Sequence, residues 1–157
     1  WVDYALGSAN PDLPSNIVKC TGGGSAAGTA TWGTGFLPTQ HQGVRLRGSR
    51  DSVLFLSNPD GVDDKRRRRN LDAVRSLNEM QLAKGHDPET ETRIAQCETA
   101  YRMQKSVPDL VDLRSESKEA LDMYGINPSK PSFARNCLMA RRLAERGVRF
   151  IQLMNGD

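Results

Sequence analysis

The chain has 157 residues, 37% hydrophobic and 26% charged, a balance that suits one soluble domain able to form a core. The formal net charge is +3, and the basic excess sits mostly in Lys65 to Arg69 and in the arginines between Ser132 and Arg149, too mild to imply a nucleic-acid partner. No stretch approaches the ~20 consecutive apolar residues that span a bilayer. Three widely spaced cysteines, Cys20, Cys97 and Cys137, contain no CxxC pair and indicate neither a disulfide framework nor a zinc site. Those at 97 and 137 fall on apolar helix faces, which favours buried thiols. No signal peptide is visible, and the chain opens at Trp1 without an initiating Met, so the expectation is an internal segment of a longer protein.

In chain order, Trp1 to Pro14 is turn-rich, with Asn10-Pro11 and Leu13-Pro14, and reads as a connecting loop or a frayed helix end. NIVKC, Asn16 to Cys20, is β-branched in its middle and predicts a short strand. The glycine-rich run from Thr21 to Gly35 follows it. Bare backbone N–H groups after a strand suit a phosphate cradle, but neither GxxxxGK[ST] nor GxGxxG is present, which favours a surface loop. Phe36 to Leu46 reads as a strand or edge hairpin carrying His41, and Val53 to Leu56 as a further short strand stopped at Asn58-Pro59.

From Asp60-Gly61 the pattern turns helical. Leu71, Val74, Leu77 and Leu82 mark the inner face of one helix ending near Gly85. Asp87-Pro88 reads as N-cap and first-turn proline of the next, with Ile94, Cys97 and Tyr101 inward and Pro108 as its end. A shorter helix holds Leu121 and Tyr124 and closes at Gly125. Ser132 then caps a strongly amphipathic helix, with Phe133, Cys137, Ala140, Leu143 and Ala144 on one face, Arg135, Arg141, Arg142, Glu145 and Arg146 opposite, and Gly147 at its stop. Val148 to Met154 is apolar enough to predict a strand buried on both sides, so the helix and strand form half of a βαβ unit. One partial domain results: loops and short strands over 1–60, helices over 61–131, and a helix then a buried strand over 132–157.

Ligands of open α/β sheets bind beyond the carboxyl ends of the strands, so Asn155-Gly156-Asp157 points at the expected site. No complete catalytic set is legible: His41 and His86 have no sequence partner for nucleophilic catalysis, and most acidic residues are explained by helix surfaces and first turns. The run Lys65 to Arg69 would spread around all sides of a helix and so favours a solvated helix entry over a phosphate-binding patch.

The order of segments WGTGFLPTQHQGVRL, LFLSNPDGVDDKRRRRNLDAVRSLNEMQL, AYRMQKSVPDL and FARNCLMARRLAERGVRFIQL resembles the bacterial family known as domain of unknown function 1501 (DUF1501) over nearly the whole chain. That family is related to sulfatases, within the alkaline-phosphatase-like superfamily. The resemblance implies an α/β sheet flanked by helices, helix-rich in the second half of this chain, taken from a considerably longer parent. It implies metal-assisted hydrolysis of small-molecule phosphate or sulfate esters by that parent, with divalent cations polarising the ester oxygens. An Asp and His pair is expected just after the strand that corresponds to Phe150 to Met154, and further acidic ligands before Trp1, so this chain alone is expected to be inactive and to hold no cofactor. By the resemblance Asp157 and His41 are candidates for touching the metal, and export would place the parent in the periplasm or outside the cell. The alternative is a non-catalytic binding or structural protein of the same fold that engages an anionic partner through Arg66, Arg67, Arg68 and Arg69. Exposed strand edges also lead us to expect self-association of the isolated chain.

Overall fold

The sheet is built on β1, Asn16–Thr21, whose four middle residues are all buried. The computed structural model describes residues 1–22, 28–46, 58–85, 87–127 and 130–156. Within them β2 (Val44–Leu46) and β3 (Phe150–Asn155) pair on either side of β1, both parallel to it, in the order β2-β1-β3. Ile17 stands opposite Val44 and Ile151, and Lys19 opposite Leu46 and Leu153. Parallel neighbours require crossover connections, and here the second crossover carries most of the helical chain. The α/β class and the helix-rich second half are therefore as expected.

Successive side chains of a strand point to opposite faces. Ile17 enters the main core with Leu110, Leu138, Met139 and Leu143, while Val18 and Cys20 meet Trp32 and Met154 on the other face. Residues 1–14, expected as a connecting loop or a frayed helix end, contain a short helix, α1 (Val2–Leu6). The expected strand Val53 to Leu56 lies outside the described residues.

Four helices follow: α2 (Asp64–Gly85), α3 (Pro88–Val111), α4 (Lys118–Tyr124) and α5 (Phe133–Glu145). The N-caps expected at Asp87 and Ser132 are present, and Ser117 supplies one for α4. The Asp87 carboxylate accepts from Glu89 N–H at 3.0 Å, Ser117 from Ala120 N–H at 3.2 Å and Ser132 from Arg135 N–H at 3.1 Å. Gly125 closes α4 in the left-handed conformation, at φ 64°. Removing the Ser132 cap by Ser132→Ala orphans an N–H of the first turn of α5 and is expected to cost about 1 kcal/mol, read as a lower denaturant midpoint at unchanged m.

Four expectations are corrected by packing. β3 is not buried on both sides: none of its residues is fully buried, because among the described residues it is an edge strand paired only through β1. α2 buries no residue, and Val74 and Leu77 of its expected inner face are exposed, since the helix lies against α3 rather than over the sheet. Pro108 does not end α3, which runs on to Val111. Proline removes one N–H donor, but fully buried Val107 and Leu110 hold the last turn against the core. The core side of α3 is Met103, Val107 and Leu110, with Ile94, Cys97 and Tyr101 only half-buried.

On α5 the buried residues are Asn136, Leu138, Met139, Arg142 and Leu143, while Phe133 and Ala144 are exposed. The buried face is turned away from the expected one because two polar side chains lie on it, each with a partner inside. The three thiols are free, Cys20 buried and Cys97 and Cys137 half-buried.

Candidate functional site

The two ends of the parallel sheet carry different chemistry. At the carboxyl end, Asn136 Nδ2 donates to Thr21 Oγ1 at 2.6 Å, tying α5 to the last residue of β1. Gly22 and Gly156 follow β1 and β3, and Gly156 N–H donates to Thr21 O at 2.9 Å. Gly22 has φ 70°, and a Cβ there would stand 2.5 Å from Gly156 O, so only glycine lets the two strand ends close together. Lys19 shares the strand face of Ile17 and Thr21. It is 2% exposed, and burial, helped by the positive charge of Arg135, pulls its ammonium down to about 8. A hidden cation with a second cation beside it, at the mouth of parallel strands, is an arrangement suited to an anion.

The amino end holds a cavity of about 750 Å³ bounded by α1, the starts of β1 and β2, and α3. Its floor is apolar, from Leu13, Pro14, Val44 and Met103. On one wall His41 Nδ1 lies 2.5 Å from Asp3 Oδ2, with the side chains 15% and 13% exposed. Ser15 Oγ donates to the other Asp3 oxygen, and Tyr4 meets the imidazole edge-on at a centroid distance of 5.8 Å. A carboxylate on one ring nitrogen fixes the orientation of an imidazole. Here the serine contacts Asp3, so the three residues do not form a nucleophile–base relay. On another wall stands Arg67, whose buried Nε has no partner.

The candidates named from sequence therefore separate. His41 sits at the amino end, away from the strand mouth with which it was grouped. Asp157 and His86 lie outside the described residues, as do 23–27 of the glycine-rich run. The remaining part of that run forms a 3-10 turn, Gly28–Trp32, that lays Trp32 on the sheet. The basic run splits as its spacing suggested: Arg68 pairs with Asp72 at 2.8 Å and Glu98 at 3.1 Å, Arg66 and Arg69 are exposed, and Arg67 turns to the cavity. Among the described residues no group of three or more His, Cys, Asp or Glu is placed to hold a metal ion.

Sequence reasoning missed Lys19, Asp3 and Arg142. A lysine inside the β-branched run NIVKC is a signal for the first; nothing in residues 1–14 marks Asp3 as the partner of His41. Arg142 was assigned to the solvent side, yet it is 4% exposed.

No helix among the described residues is long and apolar enough to cross a membrane. Neither a curated protein nor a solved structure matches the chain. A family model described as "Protein of unknown function (DUF1501)" matches residues 1–157, and the chain belongs to that family.

Proposed function

We propose that these residues form the anion-handling scaffold of a sulfatase-like hydrolase, which in a longer parent cleaves a sulfate or phosphate monoester at the carboxyl end of the sheet. The observation that carries this reading is the buried Lys19 beside Arg135, at the end of three parallel strands. Cations held in a low-dielectric site attract an ester anion more strongly than surface cations do, and they need no reorganisation as charge develops on the transferred group. Asn136, by holding Thr21, fixes the wall against which that anion would lie.

The cationic side chains Lys19 and Arg135 repel a divalent cation, which is held by carboxylate and carbonyl oxygens. The described residues at this edge thus supply the anion's countercharge, and the metal that the sulfatase resemblance implies would be held by others. Export to the periplasm or cell exterior belongs to the same reading.

The test is hydrolysis of an aryl sulfate and an aryl phosphate by the full-length parent, with and without Mg²⁺ or Mn²⁺, for the natural chain and for Arg135→Gln. Turnover that falls at least about tenfold in Arg135→Gln is the expected result. No turnover of either ester under any of these conditions would overturn it. A non-catalytic protein engaging an anionic partner through the basic run is favoured by one observation, the unpartnered Nε of Arg67. Its mark would be salt-sensitive retention on heparin that disappears when Arg66, Arg67, Arg68 and Arg69 become Ala.

A further inference from the structure

Among the described residues four side chains, those of Asn16, Arg67, Arg141 and Arg142, carry a buried polar atom without a hydrogen-bond partner, and of these Arg67 lines the amino-end cavity. Arg68 and Arg75 on the same helix are each paired with carboxylates, at 2.8 Å to Asp72 and 2.8 Å to Glu79. Arg67 is half-buried, its guanidinium makes no ion pair among the described residues, and its Nε is hidden from solvent without an acceptor. A guanidinium presents five donors in a rigid fork that fits an oxyanion. Nε is sealed from solvent, so it is the terminal N–H groups of this guanidinium, without a hydrogen-bond partner among the described residues, that an acceptor arriving in the cavity can meet. The side chain lines the same cavity as the Asp3–His41 pair, over an apolar floor and beside the hydrogen-bonding side chains of Gln96 and Thr99.

We propose that this amino-end cavity is a binding site for a small organic anion, its oxyanion held by Arg67 and its apolar body lying on Leu13, Pro14, Val44 and Met103. The far end of the ligand, where it carries a hydroxyl or carbonyl, meets the Asp3–His41 pair, whose mutual hydrogen bond presets the imidazole. A volume of about 750 Å³ falls within the range of small-molecule sites, and a floor of apolar groups with a few convergent polar ones is their usual lining. This site is distinct from the carboxyl edge, where Lys19 and Arg135 stand at the other end of the strands.

The 157-residue chain is titrated calorimetrically with benzoate, phenyl sulfate, phenyl phosphate and, as the uncharged control, benzyl alcohol. The three anions are expected to bind, the order among them identifying the oxyanion, and benzyl alcohol at least about tenfold more weakly, as loss of a charge-assisted hydrogen bond requires. Arg67→Gln should weaken anion binding at least about tenfold at an unchanged melting temperature, while exposed Arg69→Gln leaves it within about twofold. Four outcomes overturn the inference: no anion binds, benzyl alcohol binds as well as benzoate, Arg67→Gln binds like the natural chain, or Arg69→Gln loses as much as Arg67→Gln. Arg135→Gln separates the two sites. Affinity lost there and kept in Arg67→Gln moves binding to the carboxyl edge and also overturns the inference.

Discussion

Arg142→Ala is expected to lower the stability of the chain by about 2 to 4 kcal/mol, through a part-buried carbonyl that loses its side-chain donor and a mostly hidden carboxylate that loses one of its two arginines. Arg142 leaves α5 and reaches under the end of α3, where its guanidinium donates to Asp109 O at 2.8 Å and Asp112 O at 2.9 Å. It also reaches Glu116 Oε1 at 3.0 Å and Ser115 Oγ at 3.3 Å. One side chain thus satisfies carbonyls at the carboxyl terminus of a helix from another element and neutralises a carboxylate that is itself mostly hidden. Alanine takes the side-chain donor from Asp109 O and one of two donors from Asp112 O, which keeps the Ser115 hydroxyl at 3.1 Å, and it leaves Glu116 with Arg141 alone. Thermal unfolding should show a fall in Tm of roughly 10 °C. Arg142→Lys should recover only part of the loss, because an ammonium cannot fork to two carbonyls and a carboxylate together. A change below about 1 kcal/mol in Arg142→Ala would show that the α3–α4 junction does not depend on this contact.

The second large effect is a pH dependence. Lys19 titrates at about 8 in the folded chain and at 10.5 in a model peptide, principally because burial penalises the ammonium and secondarily because Arg135 repels it. Below pH 8 both states hold the proton and the contribution is constant. Between about 8 and 10.5 the unfolded chain still holds a proton that the folded chain has released, so more protons are bound in the unfolded state and stability rises with pH. The rise amounts to at most about 3 kcal/mol. Other groups titrate in the same interval, so the measurement is a difference. Denaturant midpoints of the natural chain and of Lys19→Met are followed through this range, and the gap between them should change in favour of the natural chain as pH increases. Two curves that stay parallel would mean that Lys19 has the same proton affinity folded and unfolded.

Local signals were readable wherever the physics is local. An Asp or Ser oxygen accepting an N–H two or three residues on needs no tertiary partner, so the caps at Asp87 and Ser132 could be placed from their neighbours alone. The same holds for Gly125, which takes a conformation that a Cβ disfavours. NIVKC could be placed as a strand from its β-branched middle, but that it is the central one depends on pairing with residues 134 positions away. An apolar run fits an edge strand as well as an inner one, which is why β3 was expected deeper than it lies. Polarity misled on α5: Arg142 reads as solvent-facing until the end of α3 supplies carbonyls for it, while Asn136, on the apolar edge, meets the Thr21 hydroxyl of β1. The pairing of Asp3 with His41 joins a short helix to a 3-10 turn 38 residues later, and no periodicity encodes such a meeting. For α2, hydrophobic spacing gave the helix correctly but not its surroundings.

The parallel register of β1 and β3 also sets an order in time. β1 is complete at Thr21, and its partner begins at Phe150. A ribosome adding residues at roughly 5 to 20 per second needs on the order of ten seconds to cover that distance. Throughout that interval one side of the strand's backbone hydrogen-bonding groups, together with Ile17 and Val18, waits for a neighbour that has not yet been made. The helices in between can form as they emerge, because their backbone hydrogen bonds are local, but β1 lacks this neighbour until β3 arrives. The nascent chain is therefore exposed to mispairing along this side of β1 until β3 has been made.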